Sequence, residues 1–100
     1  MPEAQIAPAA RDDLRTIRIY SKAAFGPVAA RDYLMGLRGA FTLLGANALL
    51  GAAETDLGND IRSYRYRSHR VHYRADTAGV LIVQILHHAM DVPHAMGSGA

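Results

Sequence analysis

Near residue 60 the chain changes its hydrophobic period, and few architectures accommodate that change. Upstream, apolar residues recur at helical spacing. Ala10, Leu14, Ile17, Ser21 and Ala24 share one face, with Tyr20 beside them. Ala30, Tyr33, Leu34, Leu37, Phe41 and Leu44 form a second stripe at intervals of three or four. Gly26-Pro27 separates the two, so the helices are expected to fold back as an antiparallel hairpin. Pro8 suits the first helical turn, where its missing N–H is not needed, and Asp12 and Asp13 sit near the positive end. Gly36 and Gly39 each cost about 1 kcal/mol of helix propensity relative to Ala, acceptable if the neighbouring helix approaches closely there.

Downstream the period is two. Arg62, Tyr64 and Tyr66 alternate with Ile61, Ser63, Arg65 and Arg67, and Val71, Tyr73 and Ala75 alternate with Arg70, His72 and Arg74. Asp76-Thr-Ala-Gly79 fits a hairpin turn, and the nearly all-apolar Val80–Leu86 reads as a central strand. Tyr73 and at least one of Tyr64 and Tyr66 are expected in the core, since strands favour aromatics for packing. Residues 45–60 read as a long connection with one helical turn near Ala52 to Asp56, and Pro2–Ala7 as a brief edge strand anchored by Ile6. The expected fold is therefore α+β. An N-terminal strand and a helical hairpin pack on a small antiparallel sheet in the order β-α-α-β-β-β. One domain over 1–96 and a flexible tail over 97–100 are expected from the length and from the closing Gly97-Ser-Gly-Ala100.

Composition narrows the chemistry. Without cysteine there is no disulfide framework, thiolate zinc site or cysteine nucleophile. The longest weakly polar run, Ala40 to Ala53, falls short of the roughly 20 residues a membrane helix needs. The opening Met-Pro-Glu-Ala-Gln lacks the basic and apolar regions of a secretory signal, so the cytoplasm is the expected compartment. The glycines never take a phosphate-loop spacing, and Ser63, Ser68 and Ser98 have no nucleophile-elbow context. His69 and His72, three apart on a strand, point to opposite faces, and His87 and His88 likewise diverge. Neither pair suits a metal, and no cofactor is expected.

The basic residues are unusual in kind. Ten of eleven are Arg, with Lys22 the exception, and five of the Arg lie between Arg62 and Arg74. A guanidinium fork grips carboxylate or phosphate in bidentate fashion, so a basic surface for an acidic partner is favoured over a merely solvated strand face. Arg65, Arg67, Arg70 and Arg74 interleaved with Tyr64, Tyr66 and Tyr73 also suit phosphate contact and base stacking. Imidazole at His87 or His88 is suited to proton transfer in RNA cleavage.

The motifs Ile61-Arg-Ser-Tyr64, Ser68-His-Arg-Val-His-Tyr-Arg74 and Val83-Gln-Ile-Leu-His-His-Ala-Met-Asp91 carry a family likeness. With Pro8-Ala-Ala…Asp13-Leu14…Tyr20, Ala30…Tyr33-Leu34…Leu37 and Leu44…Asn47…Leu50-Gly51 upstream, the chain resembles the ParE branch of the RelE/ParE toxin superfamily from about Ile6 to Asp91. The resemblance implies a type II toxin that poisons DNA gyrase, and since no nucleophile or metal site suggests cutting, binding that stabilises a gyrase–DNA intermediate is the expected mode. The resemblance also implies silencing by a ParD-like ribbon-helix-helix antitoxin whose C-terminal segment wraps the toxin. Target contacts are then expected from Arg65, Arg67, Arg74, His87, Met90 and Asp91, and antitoxin contacts from exposed edges including Tyr33, Leu37, Arg62 and Tyr64. Contact with DNA would be indirect, through antitoxin or gyrase.

Two positions depart from the family pattern. Ala48 follows Asn47 where many relatives have Pro, and Ala89 stands where many carry Arg, which removes a cation from the segment linked to toxicity. The alternative within the superfamily is a ribosome-dependent mRNA interferase using His87, Arg74, Arg65 and Glu54; a detoxified antitoxin-binding module is the third reading.

Overall fold

A computed structural model describes residues 4–87. The N-terminal strand β1 (Gln5–Ile6) leads into helix α1 (Pro8–Phe25) and helix α2 (Pro27–Ala46). Strands β2 (Ala52–Ala53), β3 (Ile61–Tyr66), β4 (His69–Asp76) and β5 (Gly79–His87) follow. They form one five-stranded sheet in the order β1-β5-β4-β3-β2, mixed because β1 runs parallel to β5 while every other pair is antiparallel. The α+β class and the element order β-α-α-β-β-β agree with the sequence reading, with β2 as an addition.

Each helix starts on a proline, whose missing N–H costs nothing at that position. Gly26, at φ 92°, serves both helices: its N–H closes α1 on the Lys22 carbonyl and its carbonyl accepts the Ala30 N–H. Ala10, Leu14 and Ile17 of α1 and Leu37, Phe41 and Leu44 of α2 bury against Val71, Tyr73, Val80, Ile82 and Ile85. Each of the larger side chains contributes about 1.5–3 kcal/mol through that burial. Ala24, expected on the buried stripe, is exposed. Tyr73 is fully buried, with Tyr64 and Tyr66 packed partly against the same core.

Four details depart from sequence expectation. Ala52–Ala53 is not helical but an edge strand, paired with Arg62 and Ser63 of β3. Gly51 makes this possible, since a Cβ there would overlap the Ser63 carbonyl oxygen and the Tyr73 hydroxyl. Gly36 faces Tyr66 of β3 rather than the neighbouring helix, and Gly39 faces open space. A bulge also interrupts β5: His72 pairs with Gln84 but Tyr73 with Ile82, so Val83 is an extra residue.

The fourth detail concerns the edge of β5. Strand β1 reaches only Leu81 and Ile82, and beyond it the Ile85 N–H would lack a strand partner. Asp13 of α1 takes that role, its Oδ2 accepting the Ile85 N–H at 2.9 Å. The β4–β5 turn forms as expected. Thr77-Ala78 connects the paired Asp76 and Gly79, Gly79 has φ 122°, and Asp76 Oδ1 accepts the Ala78 N–H at 2.8 Å.

Candidate functional site

Directly paired residues of neighbouring strands share a sheet face. Tyr64 opposes Val71, which opposes the core residue Ile85, so this set faces the helices. Ser63 and Arg65 of β3, Arg70, His72 and Arg74 of β4, and Gln84 of β5 therefore face the other way. Arg65 lies directly opposite Arg70, a like-charge pairing that costs stability unless an anion offsets it. Part of that offset is internal. Glu54 reaches this face from beyond β2, where its Oε2 accepts the Ser63 hydroxyl at 2.5 Å and lies 3.9 Å from Arg70 Nη1. His72 and Ser63, opposed in register, are both buried.

Arg65 and Arg74 are exposed on this basic face. Arg67 occupies the two-residue β3–β4 turn at φ 49°, a left-handed conformation uncommon outside glycine. Its guanidinium lies 5.8 Å from the centre of the Tyr66 ring, a cation–π contact, and its carbonyl accepts the Arg65 Nε–H at 3.1 Å.

His87 lies on the opposite side of the sheet. It pairs with His69, the two rings 5.1 Å apart and nearly perpendicular, and both line depressions against the helices. The β5 bulge causes this placement. Strict alternation from the buried Ile82 would turn Ile85 and His87 away from the helices, whereas the extra Val83 returns both to the helical side. The four residues of the interferase alternative, His87, Arg74, Arg65 and Glu54, are thus divided between two faces of the sheet.

Beside His87, the Tyr33 hydroxyl sits 2.7 Å from His69 Nδ1 and accepts the Ser68 N–H at 3.3 Å. Burial pushes this hydroxyl above the usual tyrosine value of 10.0, and the Ser68 hydrogen bond partly opposes that. Two adjoining depressions, of about 430 and 590 Å³, share Tyr20, His69 and His87 as walls. Tyr20 and Phe25, 64% and 69% exposed, stand edge to face at its helical end. The sequence reading left both aromatics unassigned; the available signal was their position off the buried stripe.

Of the four expected antitoxin contacts, three are partly exposed and one is buried. Leu37 is 0% exposed and belongs to the core, which corrects its assignment to an exposed edge. Tyr33 is half-buried and engaged as described. Arg62 is half-buried too, its Nη1 donating to the Gly51 carbonyl at 2.6 Å. Tyr64 packs on the core. Met90 and Asp91, with His88, Ala89 and the 97–100 tail, lie outside the described residues. Among the described residues no group of three His, Cys, Asp or Glu could hold a metal, and no helix is long and apolar enough to cross a membrane.

A family model described as the ParE toxin of the type II toxin–antitoxin system parDE matches residues 4–92. The chain belongs to the ParE toxin family. A solved structure titled as the chromosomal ParDE toxin–antitoxin system from P. aeruginosa is similar at 19% identity and a TM-score of 0.71. The match covers 87% of this chain and 96% of that one, and at this identity it speaks for the fold. No curated protein matches. The ParE fold thus places the basic face and the His69–His87 groove of this chain on opposite sides of one sheet.

Proposed function

We propose that this ParE-family chain inhibits DNA gyrase by binding and stabilising a gyrase–DNA intermediate, without cutting nucleic acid itself. The observation that carries this reading is the separation of His87 from Arg65, Arg74 and Glu54 by the thickness of the sheet. Strand cleavage needs an acid and a base converging on one phosphate. His72, which does share the basic face, is buried, and Glu54 is held by Ser63 and Arg70. What remains is binding: exposed Arg65, Arg67 and Arg74 at the basic face and turn, with His87 on the other side of the sheet and Met90 and Asp91 as further target contacts. A co-expressed ParD-like ribbon-helix-helix antitoxin neutralises it in the cytoplasm, and unopposed expression arrests growth.

The test is a supercoiling assay with purified chain, gyrase, relaxed plasmid and ATP. Supercoiling is lost and protein-linked DNA breaks accumulate, and Arg65→Ala/Arg74→Ala weakens both effects. Undisturbed supercoiling by folded protein would refute the gyrase reading. Cleavage of ribosome-bound mRNA in a parallel assay would then establish the interferase instead.

A further inference from the structure

The bulge in β5 creates a pair of imidazoles that no spacing in the sequence announces. His69 and His87 lie far apart along the chain, yet they are directly paired across β4 and β5 on the helical side of the sheet. Their ring centres are 5.1 Å apart and their planes stand at 87°. Two imidazoles on one tetrahedral ion, each with a metal–nitrogen bond of about 2.0–2.1 Å, have ring centres about 5 Å apart. Each ring turns about its own metal–nitrogen bond, so perpendicular planes are no obstacle. The separation such an ion needs is the separation the strands already impose.

Tyr33 decides which nitrogen of His69 carries the proton. A tyrosine hydroxyl has one proton to donate and two lone pairs with which to accept. The Tyr33 hydroxyl accepts the Ser68 N–H at 3.3 Å, donates to the Tyr66 carbonyl at 3.4 Å and lies 2.7 Å from His69 Nδ1. All three contacts are satisfied together only when Nδ1 is protonated and donates to Tyr33. The lone pair of His69 then resides on Nε2, the nitrogen a metal would take. Metal-bound histidines are commonly held in this way, the second ring N–H fixed by an outer oxygen acceptor. Tyr33 reaches His69 from α2 beside the β3–β4 turn, whereas His87 lies on the next strand, so the two flank His69 from different directions.

Access and charge agree with a cation. His69 is only 9% exposed, but it and His87 wall both depressions, of about 430 and 590 Å³, through which an ion can enter. Asp13 and Asp32 border those depressions against Arg67, a balance that tolerates added positive charge.

We infer that His69 and His87 form a two-histidine site for a divalent transition-metal ion, with Tyr33 as its outer partner. Imidazole ligands select zinc, copper or nickel over magnesium and calcium. No third His, Cys, Asp or Glu joins the pair among the described residues, so water completes the coordination and the ion is exchangeable. Once bound, it ties the end of β5 to β4. The site lies beyond the gyrase reading and does not depend on it.

The test titrates Zn²⁺ calorimetrically into the full chain, prepared without an affinity tag and stripped with chelator. One ion binds per chain. His69→Gln and His87→Gln each weaken binding by about tenfold or more, and Tyr33→Phe, which leaves both ligands in place, weakens it by about tenfold. His88→Gln/His94→Gln changes it less than twofold. With Cu²⁺ as the probe, the paramagnetic resonance spectrum shows nitrogen splitting from two imidazoles in the unaltered chain and from one in His87→Gln. Failure of Zn²⁺ to bind, or unchanged affinity in His87→Gln, overturns the inference. So does a loss that follows His88→Gln/His94→Gln instead, which would put the ion on the C-terminal stretch. Unchanged affinity in Tyr33→Phe refutes the outer role of Tyr33. Thermal melting confirms that each variant is folded, and the half-buried His87 carries the test alone if His69→Gln fails to fold.

Discussion

Replacing Tyr73 by Phe should destabilise the protein far more than the loss of one oxygen suggests. The Tyr73 ring is fully buried, so Phe fills the same volume and leaves no cavity. Its hydroxyl, however, donates to the Ala48 carbonyl at 2.7 Å and accepts the Gly51 N–H at 2.8 Å. Gly51 is buried, so its N–H would lose its partner without access to water, at a cost of about 1–3 kcal/mol. The half-exposed Ala48 carbonyl can be rehydrated and adds only about 0.5–1.5 kcal/mol. A total near 3 kcal/mol corresponds to a fall in Tm of roughly 12–24 °C for a domain of this size. Urea denaturation would measure it, with the slope m unchanged if the native state stays compact. Arg62 holds the same loop through the Gly51 carbonyl, so Tyr73→Phe and Arg62→Met should be coupled by at least about 0.5 kcal/mol in a double-mutant cycle. A Tyr73→Phe loss below about 0.5 kcal/mol would refute the argument, because it would mean that water or a shifted loop satisfies Gly51.

Three further substitutions test other joints. Gly36→Ala should gain helix propensity yet lose about 1–3 kcal/mol net, because the new methyl overlaps the Tyr66 hydroxyl; adding Tyr66→Phe should recover part of the loss in the same melt. Asp13→Ala should cost about 1.5–3 kcal/mol by leaving the Ile85 N–H without its charged acceptor, and hydrogen exchange at Ile85 should accelerate more than at Val71; equal acceleration would count against a local role. Tyr33 predicts a loss of stability in base. Its folded value lies above 10.0, so the folded state retains a proton that the unfolded state releases. Stability is therefore full below about pH 10 and falls as pH rises through the folded value, and Tyr33→Phe should flatten that part of the Tm–pH curve relative to the unaltered chain.

Both helices, the three long strands and the β4–β5 turn were legible because each is a local pattern: a stripe, an alternation, an Asp…Gly turn. What escaped depends on pairing across the chain. Ala52–Ala53 has no strand signature of its own and becomes one only because Gly51 lets the backbone lie against Ser63. Alternation also says which residues of one strand share a face but not where a bulge resets the count. Val80–Leu86 is so uniformly apolar that nothing in it marks Val83 as the extra residue, and that residue decides the side on which His87 emerges. Leu37 was misplaced for a simpler reason: a stripe broad enough to include Tyr33 and Leu34 does not reveal which of its members lies at the centre.

Strand β5 comes last among the described strands, yet it lies between β1 and β4 and carries the main packing surface for α1. Before residues 79–87 emerge during synthesis, α2 can already pack on Tyr66, Val71 and Tyr73, but α1 lacks the strand it buries against. Pairings as distant as Gln5 with Leu81 must close together once β5 arrives, which makes for slow, all-at-once folding. A growing chain of this design lacks its finished surfaces until β5 has emerged.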